Sequence, residues 1–171
     1  MKEEIINRVA RSSIETIDIK VFRGTDKLVL FDIKNYLHDG CVLREKNFRK
    51  AISSLDFNLY INKSVAITCS NDAIVPSWAY MLLISKLANH VKKIVIGDLE
   101  YLEKSIYLDN INSFDFSIYK NKKIVIKGCS DLVFVDSIYA EIMKKILPFA
   151  DSVMYGEPCS TVPIYKRRKK N

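Results

Sequence analysis

Short β-branched apolar runs alternate along this chain with stretches whose apolar residues recur every three to four positions, and the alternation occurs twice. In the first pass, Ser64-Val65-Ala66-Ile67-Thr68 has a strand pattern. Trp78, Met81, Leu82 and Ser85 then follow Pro76 at helical spacing, and Lys93-Ile94-Val95-Ile96 is stopped by Gly97. The pattern predicts a strand over 64–68, a helix over 76–90 with Pro76 in its first turn, and a strand over 93–96. The second pass predicts a strand over 123–127, a helix over about 135–147 ending at Pro148, and a strand over 152–155 stopped by Gly156. Residues 99–109 read as a helix joining the two passes.

The letters repeat as well as the pattern. Asp56-Phe57-Asn58-Leu59-Tyr60-Ile61-Asn62-Lys63 matches Asp115-Phe116-Ser117-Ile118-Tyr119-Lys120-Asn121-Lys122, and both continue through an isoleucine-bearing strand to Cys-Ser. Gly128 is one inserted residue before the second Cys-Ser. The register returns at Asp72 and Asp131, and again at Gly97-Asp98 and Gly156-Glu157, each 59 apart. Self-similarity of this kind dictates architecture. Residues 56–100 and 115–159 are expected to be repeated βαβ units, each with parallel strands and a crossover helix. The fold class expected is α/β: a parallel, doubly wound, Rossmann- or flavodoxin-like sheet. With the four strands lettered a to d in chain order, the expected sheet order is b-a-c-d, which sets the two first strands side by side.

Residues 1–55 are less regular and form an N-terminal extension to a single α/β domain over 1–165. Within it, 16–21 and 27–31 resemble strands around a hairpin turn at Arg23-Gly24-Thr25-Asp26, and 44–55 reads as a helix. Asp56 and Asp115 open their copies as turn or helix caps.

Composition adds limits. At 171 residues and 49% hydrophobic, the chain can bury a core without disulfides or metal. The longest apolar candidate, 78–87, is too short for a bilayer and contains Ser85 and Lys86. The start, Met1-Lys2-Glu3-Glu4, is not a signal peptide. A cytoplasmic location is expected, with the four cysteines reduced. The formal charge of +7 is concentrated in Lys166-Arg167-Arg168-Lys169-Lys170, which supplies five of it. Residues 166–171 are expected to be a disordered basic tail capable of weak, non-specific nucleic-acid contact. No recognition helix, aromatic RNA-binding pattern or finger accompanies it.

Three thiols carry the candidate chemistry. Cys69 follows strand a, Cys129 follows strand c and Cys159 lies just beyond strand d. In a parallel sheet these are the carboxyl ends, where doubly wound folds bind ligands. In the order b-a-c-d, strands a and c flank the crevice, about 4.8 Å apart. The expected site is a metal centre on Cys69, Cys129 and Cys159, holding an iron–sulfur cluster or zinc. Glu157 is an oxygen-ligand candidate. Ser70, Ser130 and Ser160 each follow a cysteine and could bond a thiolate. Asp72 and Asp131 are expected to cap helices.

Two alternatives use the same residues. A metal-free protein could carry persulfide or sense redox state, because Cys69 and Cys129 precede helices whose dipoles favour a thiolate. A non-catalytic interaction module would leave the cysteines as small buried hydrophobes. Cys41 reads as a buried structural thiol, and His38 and His90 are isolated. The absence of Cys-x-x-Cys removes zinc-knuckle and thioredoxin readings. No arginine follows in a phosphatase-like Cys-x5-Arg loop, and no glycine-rich phosphate loop is present.

The strings Ser64 to Leu83, Lys127 to Asp131 and Tyr155 to Lys166 resemble an uncharacterised bacterial domain family of about this length, often encoded beside SUF-type iron–sulfur assembly genes. The resemblance covers nearly the whole chain apart from the lysine-rich tail. It implies iron–sulfur assembly proteins as partners and favours sulfur handling for Cys69, Cys129 and Cys159, which fall in the three strings. It implies no mechanism.

Overall fold

A computed structural model describes residues 14–168 of the chain. It is a mixed α/β structure whose strands are mostly parallel, and it divides into two compact units. The continuous unit is Thr25–Ser105. Of the described residues, the split unit takes 14–24 and 106–168, with the boundary falling inside a helix.

With strands numbered in chain order, Ile14–Ile17 is β1 and belongs to the split unit. The continuous unit opens with Lys27–Asp32 (β2), followed by the helix Glu45–Ser53 (α1). Its βαβ is formed by Lys63–Thr68 (β3), the helix Ser77–Leu87 (α2) and Lys93–Ile96 (β4). The sheet order is β2-β3-β4, all parallel, with Lys27 opposite Lys63 and Ser64 opposite Lys93. The split unit contains β1, most of the helix Leu99–Ser113 (α3), and a βαβ of Lys123–Ile126 (β5), Val135–Ile146 (α4) and Ser152–Glu157 (β6). A last strand, Ser160–Lys166 (β7), folds back antiparallel on β6. The order is β1-β5-β6-β7.

Strands a, b, c and d of the sequence reading are β3, β4, β5 and β6, and they do not form one sheet of order b-a-c-d. The place beside β3 is taken by β2 and the place beside β5 by β1. The reason lies in the N-terminal segment: it supplies a parallel strand to each unit, so each βαβ completes its own sheet. The expected hairpin around Arg23-Gly24-Thr25-Asp26 is absent for the same cause, since β1 and β2 pair with β5 and β3, not with each other. Both are followed by the same device. Asp18 and Asp32 accept hydrogen bonds from the amides of Lys20 (2.9 Å) and Lys34 (3.0 Å), opening the 3₁₀ turns Ile19–Phe22 and Ile33–Tyr36. The letters Asp-Ile-Lys-x-aromatic recur here, 14 residues apart.

Local geometry recurs between the two βαβ segments too. Asp56 and Asp115 cap 3₁₀ turns through the amides of Asn58 (3.0 Å) and Ser117 (2.9 Å). Asn62 and Asn121 both take left-handed backbone, φ 59° and 60°, a conformation asparagine tolerates. The crossover helices bury matching faces: Ala79, Leu83 and Leu87 in α2, and Ile138, Ile142 and Ile146 in α4. The i, i+4, i+8 spacing puts each set on one stripe against its own sheet. Val65 and Ile67 meet the first stripe, and Ile124, Ile126 and Val153 the second.

Two boundaries depart from the sequence reading. Gly156 does not stop the last strand: β6 continues to Glu157 and turns at Pro158-Cys159 into β7. Lys166 and Arg167, expected to open a disordered tail, are folded: Lys166 ends β7 and the Arg167 amide donates to the Asp151 carbonyl at 2.8 Å. Residues 169–171 lie outside the described part, as do 1–13. Among the described residues no helix is long and apolar enough to cross a membrane.

Candidate functional site

In each unit an inner parallel strand, β3 or β5, leads to a cysteine-bearing loop. Cys69 lies one residue past β3, half-buried, with its sulfur 3.7 Å from the Asn71 carbonyl. Cys129 lies three residues past β5, half-buried against the split unit's core. Cys159 is exposed at the tip of the β6–β7 hairpin. Cys129 and Cys159 therefore share the carboxyl edge of two adjacent parallel strands, as expected, while Cys69 belongs to the other unit. Among the described residues, no group of three or more His, Cys, Asp or Glu side chains could hold a metal ion. The donor set expected for a cluster or zinc is thus not assembled as a ligand group among the described residues.

The Cys129 loop is organised by residues that the sequence patterns do not single out. The hydroxyl of Tyr139, on α4, accepts the Cys129 amide at 2.9 Å. Burial, and then a hydrogen bond with Tyr155, push the Tyr139 phenol up to about 12, so it stays protonated through the physiological range. The two rings meet edge to face at 5.5 Å. The inserted Gly128 lies against this pair: a Cβ there would come to 3.0 Å from the Tyr155 hydroxyl. Together with Met143, Met154 and Ile164, the two tyrosines line an apolar cavity of about 180 Å³ between α4 and β6.

Charge surrounds the same loop. Lys20, in the first 3₁₀ turn, pairs with Asp131 at 2.9 Å. The hydrogen bond and charge of Asp131, and then the negative charge available at Cys129, hold the Lys20 ammonium above its ordinary value. Asp131 is correspondingly held below the usual carboxylate range, first by that hydrogen bond. Lys127 reaches Glu157 at 3.5 Å and so links the Cys129 loop to the hairpin carrying Cys159.

The Cys69 loop is built differently. Asp32 takes both the amide (3.1 Å) and the hydroxyl (2.6 Å) of Ser70. Burial works to raise the Asp32 carboxyl, but the Ser70 hydroxyl and the amides of Lys34 and Ser70 together outweigh it and leave the group below its ordinary value. The Ser70 hydroxyl is therefore committed to Asp32, not to a thiolate. Tyr80, the counterpart of Tyr139, is raised by burial and then by the charge available at Cys69.

Several expectations are corrected. Asp131 pairs with Lys20 and caps no helix; neither α2 nor α4 has a side-chain N-cap. Cys41 is exposed, not buried, in a turn where its sulfur is 3.9 Å from the His38 carbonyl. A loop separates Cys129 from Val135, the first residue of α4, so the helix dipole does not act on the thiol directly. Two signals point to the residues that periodicity misses: Tyr80 and Tyr139 recur in the 59-residue register, and Lys20 sits in the repeated Asp-Ile-Lys.

The sequence matches DUF2480, a protein family of unknown function, over residues 3–167. The chain belongs to that family. No curated protein and no solved structure matches this sequence. DUF2480 carries no assigned activity.

Proposed function

We propose that the chain is a thiol protein that works without a metal, with Cys129 as the reacting sulfur and Cys159 as its partner in a reversible disulfide. The observation that carries this reading is the fixed Cys129 loop: Tyr139 holds its amide, and the Lys127–Glu157 pair ties it to the hairpin bearing Cys159. Lys20, paired with Asp131 at 2.9 Å, places a cation beside the same loop, and a neighbouring cation is one of the settings in which cysteines become reactive.

The reaction is thiol–disulfide exchange with a low-molecular-weight disulfide. The Cys129 thiolate attacks one sulfur of that disulfide, the old sulfur–sulfur bond breaks, and one half leaves as a thiolate. The Cys159 thiolate then attacks the Cys129 sulfur and releases the second half. The protein gives up two electrons as its disulfide forms, and the small disulfide takes them up. Closure brings the two Cα atoms to about 5.5 Å.

The competing proposal is an iron–sulfur or zinc centre on Cys69, Cys129 and Cys159 serving cluster assembly. One preparation decides between them. After anaerobic purification, iron, sulfide and zinc are measured, and the protein is then treated with a small disulfide and mapped by mass spectrometry. We expect metal-free protein, a Cys129–Cys159 link, and Cys129 alkylating faster than the more exposed Cys41. Lys20→Met and Tyr139→Phe should each slow that alkylation several-fold while the fold is retained by circular dichroism. Stoichiometric iron and sulfide lost on Cys→Ser substitution would establish the metal centre instead. Alkylation of Cys129 no faster than that of Cys41 would overturn the thiol reading.

A further inference from the structure

The edge of the split unit opposite the cysteine loops, where β5 and β6 begin, gathers cations from three separate segments. Lys120, Lys122 and Lys123 come from the turn into β5. Lys144 and Lys145 occupy the last turn of α4, which runs back to this edge. Lys166, Arg167 and Arg168 arrive from the end of β7. Lys123, Ser152 and Lys166 lie in one row across β5, β6 and β7, which sets the two lysines about 10 Å apart at two strand spacings.

Among the described residues, three carboxylates stand against them. Glu15 pairs with Lys122 at 2.7 Å and Glu141 with Lys144 at 3.6 Å. Asp151 shares a groove with Lys166, Arg167 and Arg168. Five positive charges remain in excess over these three carboxylates, and the sequence continues with Lys169 and Lys170. The end of the strand is fixed in place: the Arg167 guanidinium donates to the Pro148 carbonyl at 2.6 Å and its amide to the Asp151 carbonyl at 2.8 Å. The first basic residues of the tail are thus part of a folded surface.

We infer that this edge binds the phosphodiester backbone of a nucleic acid. The chemistry favours that partner over an acidic protein. Protein interfaces are depleted in lysine and centred on apolar anchors, whereas this edge is lysine-rich. None of the large exposed hydrophobic residues falls within 120–123, 144–152 or 165–168. With neither a recognition element nor an aromatic platform, binding is expected to be independent of sequence and dominated by counterion release.

The test is fluorescence anisotropy of the full chain with labelled oligonucleotides of about 20 residues, single-stranded and duplex, across a salt series. Affinity should fall steeply with salt. The triple variant K123Q/K166Q/R168Q should lower the slope of log K against log salt by about 2 to 3, roughly 0.7 to 0.9 for each phosphate no longer neutralised. These three side chains are exposed, and circular dichroism verifies the fold. A chain ending at Arg168 should keep edge-dependent binding. Absence of binding at low salt, a slope unchanged in the triple variant, binding abolished by the truncation alone, or equal affinity for polyglutamate would each overturn the inference.

Discussion

At the scale of single residues, aspartates set the local geometry. Asp18, Asp32, Asp56 and Asp115 each accept an amide two residues on and open a 3₁₀ turn. The side chain offers a short acceptor that competes well for nearby amides, which is why it suits caps. Asp26 does a different task. It takes the Lys92 ammonium at 2.7 Å and the hydroxyl of Ser64 at 2.7 Å, and Ser64 is fully buried. The Lys92 hydrogen bond first, and the Ser64 bond second, hold the Asp26 carboxyl below its ordinary 3.8. A carboxylate with a depressed folded value contributes stability that is fully present above the unfolded value and lost as pH falls through the folded one. Asp26→Ala is expected to cost about 1–3 kcal/mol at pH 7, because it leaves a buried hydroxyl without its acceptor. The gap from wild type should narrow as pH drops below about 4, measured by urea unfolding over a pH series. A gap that stays constant with pH would assign the loss to packing alone.

At the scale of elements, each βαβ is legible because its strands are β-branched runs and its helices carry one apolar stripe. The two lateral strands are harder to place. β1 has only four residues and β2 follows it closely in the same pattern, so a hairpin is the economical reading of the pair. β7 escapes the pattern because a glycine after an apolar run reads as a strand end. In the structure Gly156 sits inside β6 at φ 122°, and an added Cβ would lie 2.6 Å from the backbone carbonyl oxygen of Ser160. The glycine lets β7 approach closely where the hairpin begins. Gly156→Ala should destabilise by roughly 2–3 kcal/mol through backbone strain and that close approach. Gly128→Ala, which meets only the movable Tyr155 hydroxyl, should cost less. Denaturant midpoints of the two variants check the order, and equal midpoints would contradict it.

At the scale of the whole molecule, the described residues form two sheets with two cores, and only one of the units is continuous in sequence. The core of Thr25–Ser105 draws on Phe31, Phe48, Ile67 and Leu83, all within that span. The other core needs Ile17, Ile19 and Phe22 from the N-terminal segment as well as Ile124, Ile138 and Val153. Expressed alone, residues 25–105 are expected to unfold cooperatively with heat or urea. Residues 106–171 alone should show no such transition, because β5 would be without its neighbour β1 and the core without those side chains. A cooperative transition from the second fragment by itself would show that the N-terminal strand is dispensable.

Periodicity and repetition determined a good deal by themselves: α/β class, two βαβ segments, their parallel strands, and cysteines at the strand ends. These are local properties, written in side-chain spacing within a dozen residues. Strand neighbours are not local. Whether β3 lies beside β5 or beside β2 depends on which backbone edges pair across long stretches of chain, and apolar strands of similar composition satisfy either arrangement. The tertiary structure made that choice, and with it grouped Cys129 with Cys159, Lys20 and Tyr139. It left Cys69 in another sheet because β2 and β4 occupy both edges of β3.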